Sequence, residues 1–206
     1  MGDVSMSNVM RVVIAVAMCA ATAGIAACGS TTTAATPSPS ALVVRPSSSA
    51  TATPSASALV ASIALVVTDI PSGGPPLAQI SNGEMNNQPN TVQRGFANAG
   101  NTFRIEDDGL VDTSIQAATA DYPQLRDATK AQMTTLAVST TPSGLGSQAN
   151  EYIGTTATGY SEIGITFQEG AVIAVVLLEN SAGTVDRSFA EAVARVQDQK
   201  ILASGI

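Results

Sequence analysis

Histidine and tryptophan do not occur in this chain, and cysteine occurs twice. Without an imidazole there is no Ser-His-Asp triad, no Cys-His dyad and no histidine-ligated metal centre. Cys19 lies in an N-terminal segment expected to be removed, which leaves Cys28 as a single thiol with no intramolecular partner. A disulfide framework and thiol catalysis are thereby excluded. Basic residues are also scarce, with nine Lys and Arg against sixteen Asp and Glu. Along the folded part they stand singly, at Arg94, Arg104, Arg126, Lys130, Arg187, Arg195 and Lys200. With no basic stripe, nucleic-acid binding lacks its main source of affinity. Neither GxGxxG nor GxxxxGKS/T is present, so the familiar phosphate cradles are missing as well.

Long apolar runs are missing too. The longest, Val12–Ala27, has 16 residues, short of the roughly 20 that a spanning helix needs. It follows Arg11, a short positive flank, and ends in small residues at Ala26-Ala27, which is the pattern of a signal peptide. Met1, Met6 and Met10 are alternative starts, and Met10 gives the cleaner signal. The four residues Ile25-Ala26-Ala27-Cys28 resemble the lipobox of bacterial lipoprotein precursors: an aliphatic residue, two small ones, then cysteine. That resemblance implies cleavage between Ala27 and Cys28 and a diacylglyceryl group on the Cys28 thiol. The mature chain would then be lipid-anchored on the outer face of the bacterial cell membrane. Each buried CH₂ contributes about 0.8 kcal/mol, so two or three acyl chains hold firmly where one binds marginally.

Between Gly29 and Ser57, 24 of 29 residues are Ser, Thr, Ala or Pro. Such a segment cannot bury enough apolar surface to offset the entropy of ordering it. Residues 28–57 therefore read as a lipidated cysteine followed by a disordered tether. A flexible chain of that length averages roughly 30 Å end to end and reaches about 90 Å when extended.

Globular patterning begins near Ala58, which leaves 58–206 for one domain, long enough to bury a core without disulfide or metal. Ala58–Val67 reads as a core segment, and Gln79–Asn90 as polar loop. Val92–Ala97 is a weak strand. Thr102–Glu106 and Leu110–Ala117 read as strands joined by an Asp107-Asp108-Gly109 hairpin turn. Asp121 and Pro123 suit the start of a helix over 121–137, with Leu125, Thr129, Met133 and Leu136 as its buried stripe. Gln148–Thr156 supplies a strand. Tyr160–Gln168 alternates, with Ile163, Ile165 and Phe167 on one face, and Ala171–Leu178 is apolar throughout. That hairpin belongs at the centre of the sheet, its second strand buried on both faces. A last helix spans 184–202, capped by Thr184, with Val185, Phe189, Val193 and Val196 inward and Arg187, Glu191, Arg195 and Asp198 outward. The whole is an α+β domain, an antiparallel sheet packed on one face by both helices.

Thr68-Asp69-Ile70-Pro71-Ser72-Gly73, the Gln168-Glu169-Gly170 turn and Ala194-Arg195-Val196-Gln197-Asp198 resemble a domain that recurs in secreted and lipid-anchored actinobacterial proteins. That resemblance brings no activity with it. Carboxylates are the remaining chemistry, and Glu106, Asp107, Asp108 and Asp112 cluster near the expected turn. They lack the calcium-loop spacing, and seven aromatics give few sugar platforms for a glycosidase. A solvated turn is the reading composition favours. Lys130 and Lys200 fall on polar helix faces, with no Ser-x-x-Lys run. No catalytic residue, metal ligand or cofactor is assigned, and ligand-binding residues stay unassigned. The expected role is that of a non-enzymatic envelope interaction or sensor module. The alternative is a carrier with an apolar pocket between sheet and helices. An enclosed apolar cavity above about 300 Å³ would favour the carrier, and a filled core the interaction module.

Overall fold

The computed structural model describes residues 56–206. The signal segment, the Ala27–Cys28 cleavage site and the tether up to residue 55 lie outside the described residues.

Helix α1 (Ala56–Ile63) opens the domain. Strands β1 (Ala78–Gly83), β2 (Thr91–Ala97) and β3 (Phe103–Val111) follow, then helix α2 (Ile115–Ala131). Strands β4 (Met133–Thr140), β5 (Gln148–Thr156), β6 (Ser161–Glu169) and β7 (Val172–Asn180) lead to helix α3 (Arg187–Ser204). The seven strands form one antiparallel sheet in the order β1-β2-β3-β7-β6-β5-β4. Strand β7 is therefore the middle strand, as its unbroken apolar run predicts. Its tight turn from β6 is made by Gly170 at φ 56°, a left-handed conformation that costs glycine little.

Strand parity divides the core in two. Val172, Ala174, Val176 and Leu178 meet α1 and α3, among Ile63, Leu65, Phe96, Phe167, Val193 and Ile201. Ile173, Val175 and Leu177 point the other way and pack with Leu110 under Ala118, Tyr122 and Leu125 of α2. The α+β class and the antiparallel sheet are as expected, but the two predicted helices lie on opposite faces. Strand β6 explains why the second face escaped notice. Its alternate residues Glu162, Thr166 and Gln168 are buried although polar, so a pattern that normally marks solvent conceals a helix-covered surface. Gly164 allows the close approach, since a Cβ there would meet Thr129 Cγ2 at 2.6 Å. The Thr166 hydroxyl donates to Thr129 Oγ1 at 2.8 Å, and Gln168 Nε2 donates to Thr119 Oγ1 at 3.2 Å.

Local corrections follow from the same geometry. The Asp107-Asp108-Gly109 turn does not exist, for these residues run through the middle of β3, paired with β2 and β7. Helix α2 begins earlier than expected. Its cap is Ser114, whose side chain accepts from Ala117 N at 3.1 Å, and Pro123 sits inside the helix. Met133 and Leu136 belong to β4, where Met133 is buried and Leu136 exposed. Asp186 rather than Thr184 caps α3, accepting from Ser188 N and Phe189 N. Asp198 faces inward instead of outward. The polar stretch after Gln79 contains β1, an edge strand exposed along its whole length.

Candidate functional site

Of the carboxylates that looked like a solvated turn, Asp107 and Asp108 are buried and Glu106 and Asp112 are half-buried. Successive residues of β3 point to opposite faces, so Asp107 lies on the α1 and α3 side while Glu106 and Asp108 lie on the α2 side. Asp107 is wholly buried. Its Oδ2 accepts from Leu65 N at 2.8 Å, where the chain leaves α1, and its Oδ1 has no partner. Burial pushes its carboxyl up to about 7, against the opposing pull of the Leu65 N–H and the Arg94 and Lys200 charges. Arg94 is its register partner on β2, yet Arg94 Nε and Nη1 are buried without a hydrogen-bond partner. Beside them, Lys200 of α3 pairs with Asp69 at 2.5 Å, and Asp69 also accepts from Val66 N at 2.9 Å.

On the α2 side, Gln93 Nε2 donates to Glu106 Oε1 at 2.5 Å. Burial, then the charges of Glu106 and Asp107, hold Asp108 well above the usual carboxylate range. Two strands away, Glu162 is wholly buried, with neither oxygen partnered. Burial pushes it up to about 7, helped by the negative charges of Glu179, its register partner on β7, and Glu106. Glu179 is raised by burial in turn, with Arg104 opposing, and Arg104 is its register partner on β3. Asp112, just past β3, is half-buried and raised to about 6 by burial and then by the charge of Asp121. Lys130 is exposed at the end of α2.

Glu106, Asp107, Asp108 and Asp112 are thus gathered along one strand and its end, but the sheet separates Asp107 from Glu106 and Asp108. Among the described residues, no group of three or more His, Cys, Asp or Glu is placed to hold a metal ion. The side chains that sequence reasoning missed are Glu162 and Arg94. Glu162 was concealed by its place in an alternating strand, and Arg94 by its place in a weak one.

A shallow cleft lies on the Arg94 side. It holds about 260 Å³, opens to solvent and is bounded by α1, the end of β1 and the start of β2. Arg94 is the basic side chain in its wall.

No family model matches the chain, and no curated protein matches it. In structure the chain is similar to the extracellular domain of PknH from Mycobacterium tuberculosis, with a TM-score of 0.51 at 12% identity. The likeness covers 73% of this chain and 98% of that one. It is a likeness of fold: this seven-stranded α+β chain shares its architecture with an extracellular actinobacterial domain.

Proposed function

We propose that the chain is a non-enzymatic recognition module, held on the outer face of the bacterial cell membrane by lipid on Cys28. The tether over 28–57 lifts its domain toward an envelope partner. The lipobox at Ile25-Ala26-Ala27-Cys28 and the Ser/Thr/Ala/Pro-rich segment after it support the anchoring. The fold shared with an extracellular domain supports the location.

The observation that carries the recognition reading is the filling of the core around β7. Every residue from Val172 to Leu178 is buried, with side chains packed from both faces. A carrier that stores a lipid needs an enclosed apolar cavity above about 300 Å³. The open cleft of about 260 Å³ suits reading a ligand at the surface better than storing one inside. Leu136 and Val138 on edge strand β4, with Ile80 on edge strand β1, add exposed apolar contact at the two ends of the sheet. The raised carboxylates lie beneath helices rather than along a cleft, which favours a structural or sensing role over catalysis.

Native mass spectrometry of the full chain, extracted from its host membrane in mild detergent, tests this reading. A protein partner retained with the chain is the expected result. One non-covalent long-chain lipid per chain would overturn it in favour of a carrier.

A further inference from the structure

Edge strand β4 is fastened weakly where it begins, and the side chain seated there lies beside a buried carboxyl. Met133 pairs with Thr156, but the register slips before Thr135 pairs with Thr155, so Thr134 stands outside the ladder. The Thr134 hydroxyl still donates to Thr155 O at 3.2 Å. A bulge of this kind interrupts pairing at a sheet edge. Met133 is nevertheless buried, while residues 134–139 are exposed. Two glycines make its seat. A Cβ at Gly154 would meet Met133 Sδ at 3.0 Å, and a Cβ at Gly164 would meet Met133 Cε at 3.4 Å.

Glu162 belongs to the same seat. Gly154 is its register partner on β5, and Gly164 follows it on the same face of β6. Glu162 is wholly buried, and neither oxygen has a hydrogen-bond partner. The charges that act on it are both negative: Glu179, opposite in register on β7, and Glu106 on β3. Arg104 of β3 is the register partner of Glu179 and offsets that charge instead. From α2 the neighbour is neutral Thr129, whose methyl lies over Gly164, and Lys130 beyond it is exposed. From β4 it is Met133. A carboxyl in such company keeps its proton until water can reach it. Glu179 and Glu106 lie toward the middle of the sheet and Met133 toward its edge. Water therefore reaches Glu162 most directly when Met133 moves.

We propose that residues 133–135 form a pH-controlled flap on the sheet edge: Met133 stays seated over Gly154 while Glu162 is protonated, and ionisation of Glu162 unseats it. The proton passes to solvent, and water replaces the thioether beside the carboxylate. The opened flap leaves the backbone of Thr155 and Thr156 free to pair with a partner strand. Its direction follows from the burial. With the flap closed, Glu162 holds its proton up to about 7, whereas a glutamate in water releases it near ~4.3. Between those limits each pH unit favours the open flap by up to about tenfold, and the gain levels off above 7. Acid closes the flap and alkali loosens it.

Hydrogen exchange of the full chain in detergent, read by mass spectrometry at pH 5 and pH 8 and corrected for the intrinsic pH dependence of exchange, tests this. Protection of amides 133–136 should fall at least about tenfold from pH 5 to pH 8. Protection of β1, the other edge strand, should not change. Glu162→Gln should remove the pH dependence. Glu179→Gln, which takes away a like charge, should make protection level off at a lower pH. Peroxide oxidation of Met133, measured relative to free methionine, is a second readout that needs no variant. It should run at least about tenfold faster at pH 8 than at pH 5, because an unseated thioether meets the oxidant. Protection at 133–136 that is independent of pH overturns the proposal, as does an equal change in β1 or a dependence that survives Glu162→Gln. A Met133 oxidation rate that does not change with pH also overturns it. If Glu162→Gln does not fold, Glu179→Gln and the oxidation rate decide.

Discussion

Two glutamates share complete burial and differ in everything else. Glu151 on β5 is met by Arg187 of α3, with Nη2 to Oε2 at 2.7 Å and Nε to Oε1 at 3.2 Å, so its charge is paired at the start of that helix. Glu162, on the neighbouring strand, has no partner for either oxygen and faces Glu179 and Glu106 instead. Burying an unpaired carboxylate costs so much that the group keeps its proton. Glu162 is raised from 4.5 to about 7 and Asp107 from 3.8 to about 7. Below pH about 4 these groups are protonated whether the chain is folded or not. As pH rises from there to about 7, the unfolded chain releases protons that the folded chain retains, so stability falls. The slope is at most about 1.4 kcal/mol per pH unit for each group, and it levels off above 7. The full chain should therefore melt at least ~5 °C higher at pH 5 than at pH 8. Glu162→Gln, which removes the charge and keeps the shape, should raise the melting temperature at pH 8 and flatten the profile. Thermal melts by circular dichroism check both, and a melting temperature that rises from pH 5 to pH 8 contradicts the assignment.

Among the elements, β7 and β3 show how differently two central strands can be written. In β7 every position from Val172 to Leu178 is apolar, and each of them is buried, because helices cover both faces. In β3, Glu106-Asp107-Asp108-Gly109 interrupts the apolar pattern with the residue types of a turn, yet the strand continues through them. Local preference yields there to pairing with β2 and β7 on both sides. The same override moved the helix that was expected over 121–137. Asp121 and Pro123 have the chemistry of a helix start, but Ser114 captures the cap and the chain turns into β4 after Ala131. For β7 the consequence is testable. Val175 faces α2 and Val176 faces α1 and α3, so a charge of either parity is desolvated without a partner. Val175→Asp and Val176→Asp should each destabilise by several kcal/mol, close to the whole stability of a domain this size. Denaturation of the two full-length variants measures this. A strand covered on one face would show the loss at one position alone, and such a split would contradict the two-sided core.

For the molecule as a whole, the proposed anchoring rests on Cys28 and the proposed reach on the Ser/Thr/Ala/Pro-rich segment after it. Cys28→Ala should release the protein from the membrane into the medium or leave an uncut precursor, since the remaining cysteine, Cys19, lies outside the lipobox. Fractionation of the host and the intact mass of the mature N-terminus check this. An unmodified N-terminus that begins elsewhere rules the anchor out.

The proposed anchor is a reading of linear sequence alone, because export signals are read before any folding. The α+β class, the β6–β7 hairpin and its central place are legible for a related reason. A strand buried on both faces must be apolar at every position, and few other structures produce that pattern. The second helix layer was not legible, because the β6 face beneath α2 is polar and its burial depends on hydrogen bonds to Thr119 and Thr129 from a distant segment. The Arg94 cleft was hidden for the same reason. An arginine in a weak strand says nothing about its surroundings until α1, β1 and β3 close around it and leave its donors without an acceptor. Composition and periodicity report how much surface a segment must bury, whereas the company a charged group keeps depends on contacts between residues far apart in the chain.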